Sequence, residues 1–139
     1  MFRAFLLMLC ASVLMQGAYG HERDYHLGDW IGTWKSADTS GHFDLALQRA
    51  PGGEVAGNIV VSTDNQESSE YDVDLRNISF DGDHFTAIFV TPGKSPDVIK
   101  LTGSLSARTG SGEWVAHKRL QSNAEVSAYG TWELQKHST

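Results

Sequence analysis

The stretch GDWIGTWK, residues 28–35, places Trp30 and Trp34 each two positions after a glycine. The stretch GTWEL, residues 130–134, repeats this spacing near the other end of the chain, and all four tryptophans follow a glycine at this distance. Residues i and i+2 of a β-strand share a face, so each glycine leaves a gap that the following indole ring can cover. The pattern predicts an antiparallel barrel whose first and last strands meet.

Between these stretches, short runs of alternating apolar and other residues are separated by turn signals. The clearest run is 42–48, in which Phe43, Leu45 and Leu47 share one face. The turn signals include PGG at 51–53 and DGD at 81–83. We therefore predict an all-β fold, an up-and-down meander of about eight antiparallel strands that closes into a small barrel. The predicted strands are 30–36, 42–48, 54–62, 71–80, 85–90, 97–105, 112–119 and 125–136.

The fourth predicted strand contains a change of phase. The apolar alternation of residues 71–75 slips by one residue before it resumes at Ile78 and Phe80. A period of two that slips by one residue is typical of a β-bulge. We place the predicted bulge at Arg76-Asn77.

The N-terminus has the pattern of a secretory signal peptide over residues 1–20, with Arg3 followed by an apolar run and small residues before the cleavage point. The apolar run of about 12 residues is shorter than the ~20 of a membrane span, so we predict no stable membrane insertion after cleavage. Residues 21–27 are predicted to be a flexible tail and residues 28–137 a single β-barrel domain. The expected location is secreted or periplasmic, and Cys10, the only cysteine, would leave with the signal peptide.

The formal net charge of the chain is −6, and loss of Arg3 with the signal peptide leaves 10 basic and 17 acidic residues. A nucleic-acid partner is therefore not expected, because such proteins present a basic face to the phosphates. Seven acidic residues lie between Asp64 and Asp83. We interpret them as a solvated face, with a basic protein partner for the loop from Asp64 to Asp74 as the alternative.

With Gly-Thr-Trp-Lys at 32–35 and Gly-Thr-Trp at 130–132, the chain resembles the calycin-type barrels, which include lipocalins and fatty-acid-binding proteins. It is also similar to small bacterial secreted lipocalin-like domains over roughly residues 28–135. The resemblance implies a ligand-binding barrel in which a basic residue of the last strand packs over a tryptophan of the first strand. Lys136 matches that position, with Arg119 as a second candidate, and Trp34 is the expected partner.

The predicted function is non-enzymatic binding of a small hydrophobic or amphipathic molecule in the barrel. The alternative is a filled barrel that acts on a protein partner through its acidic surface. The same residue types would line a pocket or fill a core, so the sequence leaves both open. The candidate ligand-binding residues are Trp34, Phe43, Leu45, Phe85, Phe89, Trp114 and Trp132.

Metal binding is a second alternative. Cleavage after Gly20 would leave His21 at the new N-terminus, where its α-amine and imidazole could bind copper or zinc together with His26. Apart from this alternative we predict no cofactor. We also predict no enzymatic activity, because the chain has no Gly-x-Ser-x-Gly, no His-Glu-x-x-His, no phosphate-binding loop and, once the signal peptide is removed, no cysteine nucleophile.

Overall fold

The computed structural model describes residues 24–66, 69–118 and 126–137, and within these ranges nine antiparallel strands form one nearly closed, barrel-shaped sheet. A 3-10 helix, Asp24–His26, precedes the first strand. The strands are β1 (Gly28–Lys35), β2 (Ser40–Arg49), β3 (Val55–Thr63), β4 (Tyr71–Asp74), β5 (Arg76–Asp81), β6 (His84–Val90), β7 (Asp97–Leu105), β8 (Thr109–Lys118) and β9 (Val126–Lys136). No helix in the described ranges is long and apolar enough to cross a membrane.

The strand order is β4-β3-β2-β1-β9-β8-β7-β6-β5, so every pair other than β1–β9 joins strands that are consecutive in the chain. The pairing of β1 with β9, which places Trp34 opposite Trp132, brings the first and last strands together. The predicted all-β, up-and-down barrel is confirmed. Alternating apolar side chains produce it because each strand turns one face inward.

The sheet has nine strands instead of the predicted eight because the fourth predicted strand is divided. Only Leu75 separates β4 from β5, and its amide donates to Gly57 O at 2.9 Å. β4 pairs with β3 and β5 pairs with β6, so this single run of chain passes from one edge of the sheet to the other. The register shifts between Arg76 and Ser79, and Asn77 has a φ of 53°, which confirms the predicted bulge.

The core consists of apolar side chains from the inward faces of the strands. Trp30, Phe85 and Phe89 have no exposed surface, and Trp132 is 2% exposed. Complete burial of one such side chain stabilises the fold by about 1.5–3 kcal/mol. Most of the barrel interior is therefore filled by the chain's own side chains.

Three tryptophans cover glycines, but not the glycines that precede them in sequence. Each ring lies against the glycine directly opposite on the neighbouring strand, because cross-strand partners are closer than residues i and i+2 of one strand. The pairs are Trp34 with Gly41, Trp114 with Gly130, and Trp132 with Gly112. A β-carbon at Gly112 would lie 2.6 Å from Trp132 Cζ2, and one at Gly130 would lie 2.7 Å from Trp114 Nε1. The sequence interpretation was correct about the role of these glycines and wrong about their partners.

The two ends of the barrel differ, and we name them by what lies there. The closed end carries the 3-10 helix and the β2–β3, β5–β6 and β7–β8 connections. At the β5–β6 turn, Gly82 has a φ of 60°, which glycine adopts without steric cost, and the predicted hairpin at residues 81–83 is confirmed. The other end, at which the described residues form no such cover and which we call the open end, carries the β1–β2 and β6–β7 connections and the strand ends on either side of the β3–β4 and β8–β9 connections. Residues 67–68 and 119–125 of those two connections lie outside the described residues.

Candidate functional site

His26 is the main contact of the 3-10 helix with the closed end. Its ring is 4% exposed and stacks on Phe80, with 4.2 Å between the ring centroids. Its Nε2 atom lies 3.3 Å from Asp83 Oδ1, and the Tyr25 hydroxyl donates a hydrogen bond to the same oxygen. That hydrogen bond lowers the pKa of Asp83, with a smaller contribution from His26, and raises the pKa of Tyr25.

Lys136 joins the same end to the first strand. Its Nζ atom lies 5.4 Å from the centre of the Trp30 ring and donates to Tyr25 O at 2.6 Å. Trp30 Nε1 donates to His26 O at 3.0 Å. The basic residue therefore packs over Trp30 and not over Trp34, because Trp30 is the residue opposite Lys136 in the β1–β9 register.

Part of the expected N-terminal tail is folded. We expected residues 21–27 to be flexible, whereas Asp24–His26 form a 3-10 helix and Leu27 packs against the core. A single helical turn has no apolar period, so the sequence contains no signal for it. Arg119, the second candidate for the basic position, lies outside the described residues, as do the predicted signal peptide and His21.

The open end has an aromatic side formed mainly by β1 and β8. Trp34 is half-buried there, 6.2 Å from Phe43 and edge-on to Trp114 at 5.7 Å between ring centroids. Its Nε1 atom donates across Gly41 to Ser62 O at 3.0 Å, and Trp114 Nε1 donates to Lys35 O at 3.3 Å. Hydrogen bonds to the backbone hold both rings in place, so this is a fixed aromatic surface.

The part of the open end formed by the start of β7 and the end of β8 is polar. Asp97 is the first residue of β7, and Lys118 is the last residue of β8. The two residues are opposite each other in the β7–β8 register, and Lys118 Nζ lies 3.0 Å from Asp97 Oδ1. The Asp97 amide donates to the hydroxyl oxygen of Thr91 at 2.8 Å, and the Thr91 amide donates to Asp97 O at 3.0 Å. These two hydrogen bonds fix the backbone of Asp97. The side chains of Asp97 and Lys118 are 28% and 40% exposed, so both are within reach of solvent.

Tyr71 adds a hydroxyl to this polar side. Burial, followed by the nearby carboxylate of Asp97, raises the pKa of Tyr71 to about 12. The phenol therefore keeps its proton at neutral pH and can donate a hydrogen bond. Asp97 Oδ1 has almost no exposed surface and accepts no hydrogen bond in the described structure, despite the ammonium beside it.

The predicted ligand-binding residues have different environments. Six of them, Phe43, Leu45, Phe85, Phe89, Trp114 and Trp132, are buried in the core. Trp34 is half-buried at the open end. Contact of any of the seven with a ligand stays a prediction.

The sequence analysis missed Tyr71, Asp97 and Lys118. The alternation of the strands does indicate Asp97 and Lys118. Asp97 is in phase with the core residues Ile99 and Leu101. Lys118 is in phase with Trp114 and Ala116. A charged residue in phase with a core face, at the end of a strand, indicates the mouth of a barrel.

Candidate metal ligands do not cluster in the described ranges. These ranges contain no group of three or more His, Cys, Asp or Glu side chains that could hold a metal ion, and His26 Nε2 faces Asp83. The register places Asp81, His84 and Ser104 side by side on the outer face, but no hydrogen bond joins their side chains and all three are exposed. A catalytic triad requires hydrogen bonds between its members.

The described acidic residues of this region do not form one loop surface, and Glu67 lies outside the described residues. Asp64 lies at the open end, where it accepts a hydrogen bond from Ser40 at 2.9 Å and lies 3.6 Å from His42 Nε2. Asp72 and Asp74 are exposed on β4, and Asp72 accepts from Asn58 at 2.8 Å. The residues that form the DGD turn lie at the closed end.

Comparisons with protein-family models, with curated proteins and with solved structures found no match to this chain. The open end therefore stands as the candidate site on its geometry alone.

Proposed function

We propose that this protein is a secreted or periplasmic, non-enzymatic module that binds a small amphipathic molecule at the open end of its barrel. The observation that carries the proposal is that the half-buried Trp34 and the polar group of Asp97, Lys118 and Tyr71 lie at the same end of the barrel. Ligand sites typically combine an apolar surface with a few convergent polar groups.

The closed end supports the same proposal. The 3-10 helix covers it, and Lys136 lies over Trp30. Among the residues that the structure describes, no such cover lies over the other end, and the calycin-type resemblance implies a barrel with one entrance. We therefore retain the lipocalin-like assignment as part of the proposal.

The filled core limits the size of the ligand. Phe43 and Phe89 lie below the open end and are 4% and 0% exposed, so the interior below them is occupied. A ligand would lie across the mouth against Trp34 instead of entering deeply.

Tryptophan fluorescence tests the proposal. Titration of the purified protein with a panel of small amphiphiles should change the emission intensity and wavelength, because Trp34 borders the site. The variant Trp34→Phe should lose most of the response, whereas Trp30→Phe, at the closed end of the same strand, should retain it. A response that Trp34→Phe retains and Trp30→Phe loses would contradict the site, and no response to any amphiphile would contradict the function.

A second candidate is binding of a basic protein partner. It is favoured by the exposed carboxylates of Asp72 and Asp74, which share the outer face of β4. Such binding should weaken steeply as salt rises, since attraction between exposed charges is screened within about 8 Å at physiological ionic strength. Salt-insensitive association would contradict this candidate.

A further inference from the structure

The charges at the open end are already paired. Asp97 and Lys118 lie on adjacent strands with 3.0 Å between the carboxylate oxygen and the ammonium nitrogen. The pair contributes no net charge, and Tyr71 beside it is neutral at physiological pH. A ligand head group therefore meets a neutral but strongly polar arrangement.

The pair offers both kinds of hydrogen-bonding group. An ammonium has three N–H donors, and the side chain of Lys118 is 40% exposed. Asp97 Oδ1 has almost no exposed surface, so the acceptor positions open to a ligand are those of the other carboxylate oxygen, and the phenol of Tyr71 adds another donor. A head group that both donates and accepts, such as an amide or a hydroxyl, matches this set.

A charged head group would disturb the pair. A carboxylate could bind Lys118 only beside the like charge of Asp97, and a chain with net charge −6 repels it further. An amine could bind Asp97 only beside the ammonium of Lys118. Both would also lose more hydration than a neutral head group when they enter a partly buried site.

From these contacts we propose that the Asp97–Lys118 pair selects amphipathic ligands with a neutral hydrogen-bonding head group and disfavours free carboxylates and amines. The inference rests on the proposed binding function. In this arrangement the head group bridges Asp97 and Lys118 while the apolar part lies against Trp34.

The test compares four probes that share one alkyl chain: decanamide, decanol, decanoate and decylamine. Binding is measured at pH 7 by tryptophan fluorescence and by calorimetry. Decanamide and decanol should bind the wild-type protein about tenfold more tightly than decanoate and decylamine, a difference of about 1.4 kcal/mol.

Two variants shift the preference in opposite directions. Asp97→Asn leaves Lys118 without its carboxylate, so decanoate should gain affinity relative to decanamide. Lys118→Gln leaves Asp97 without its ammonium, so decylamine should gain instead. The controls Asp29→Asn and Lys100→Gln change the net charge equally at exposed positions outside the open end and should leave the order of the four probes unchanged.

The outcomes separate the inference from the function on which it rests. If none of the four probes binds, the proposed function fails and the inference fails with it. If decanoate or decylamine binds the wild type as tightly as decanamide, the inference is overturned while the binding function stands. The inference is also overturned if Asp97→Asn and Lys118→Gln both keep the wild-type order of affinities for the four probes. Circular dichroism must show that both variants are folded.

Discussion

The closed and open ends of this barrel use the same kinds of residue for different purposes. At the closed end, Trp30 has no exposed surface, and its ring nitrogen donates to His26 O. The His26 ring stacks on Phe80, and Lys136 lies over the Trp30 ring. At the open end, Trp34 is half-buried, and the Asp97–Lys118 pair at the same end is partly exposed. The side chains at the open end are also hydrogen-bonded or paired within the protein, but Trp34, Asp97 and Lys118 remain partly exposed.

Trp30 and Trp34 make this comparison directly, because they occupy the same face of the same strand. Their different burial follows from what covers them. The 3-10 helix adds its backbone and side chains over Trp30, whereas Trp34 faces the mouth. Position along the strand, and not residue type, separates a structural tryptophan from a candidate binding tryptophan.

The largest expected effect comes from truncating these two residues. Trp30→Ala should lower the free energy of unfolding by about 3–5 kcal/mol, because it leaves a large cavity and an unpaired His26 carbonyl. Trp34→Ala should cost about 1–3 kcal/mol, since part of the ring is already exposed. Urea unfolding followed by circular dichroism measures both. Equal losses would mean that the open end is packed as tightly as the closed end.

A smaller effect is expected from adding a methyl group to a glycine at each end. The β-carbon of Gly130→Ala, at the open end, would collide with Lys35 O and lie 2.7 Å from Trp114 Nε1. We expect a loss of about 2–3 kcal/mol and a changed Trp114 emission.

The matched control is Gly52→Ala in the β2–β3 turn at the closed end. Its β-carbon would lie 3.3 Å from the flexible carboxylate of Glu54, so the cost should stay within about 0.5 kcal/mol. Thermal unfolding of both variants makes the comparison. A similar cost for the two would show that the tryptophan rings do not depend on the cross-strand glycines.

The smallest effect is a dependence of stability on alkaline pH. The pKa of Tyr71 is about 12 in the folded protein against 10.0 for the free side chain, so its stabilising contribution is complete below pH 10 and is lost as pH rises from 10 to about 12. Because the side chain is partly exposed, we expect about 1 kcal/mol. The difference between wild type and Tyr71→Phe isolates it, by phenolate absorbance and by urea unfolding at several pH values. Identical pH profiles for the two proteins would contradict the burial of this hydroxyl at the open end.

The fold could be predicted well because its signals are local. Alternation over strands such as β2 and the turn at residues 81–83 depend on neighbours within a few residues. The slip before Ile78 also predicted the bulge at Arg76-Asn77. The split of β4 from β5 could not be predicted in this way, because it depends on which strand each half meets across the sheet.

The candidate site was harder to predict because its members are distant in sequence. Trp34, Tyr71, Asp97 and Lys118 come from four strands, and nothing in their local sequence connects them. The apolar residues that we expected to line a pocket are mostly core, since a large buried side chain has the same sequence pattern in either role. The partner of Lys136 was misassigned for a related reason: cross-strand register, not the Gly-x-Trp motif, selects Trp30.

By itself the sequence determined the strand class, the meander, the bulge and the meeting of the first and last strands, because period-two alternation and turn residues act over a few positions. Only the tertiary structure decided which end is covered, which glycine each ring covers, and which charges meet at the mouth. Those features depend on register and on barrel closure, which bring together residues as far apart in the chain as Tyr25 and Lys136.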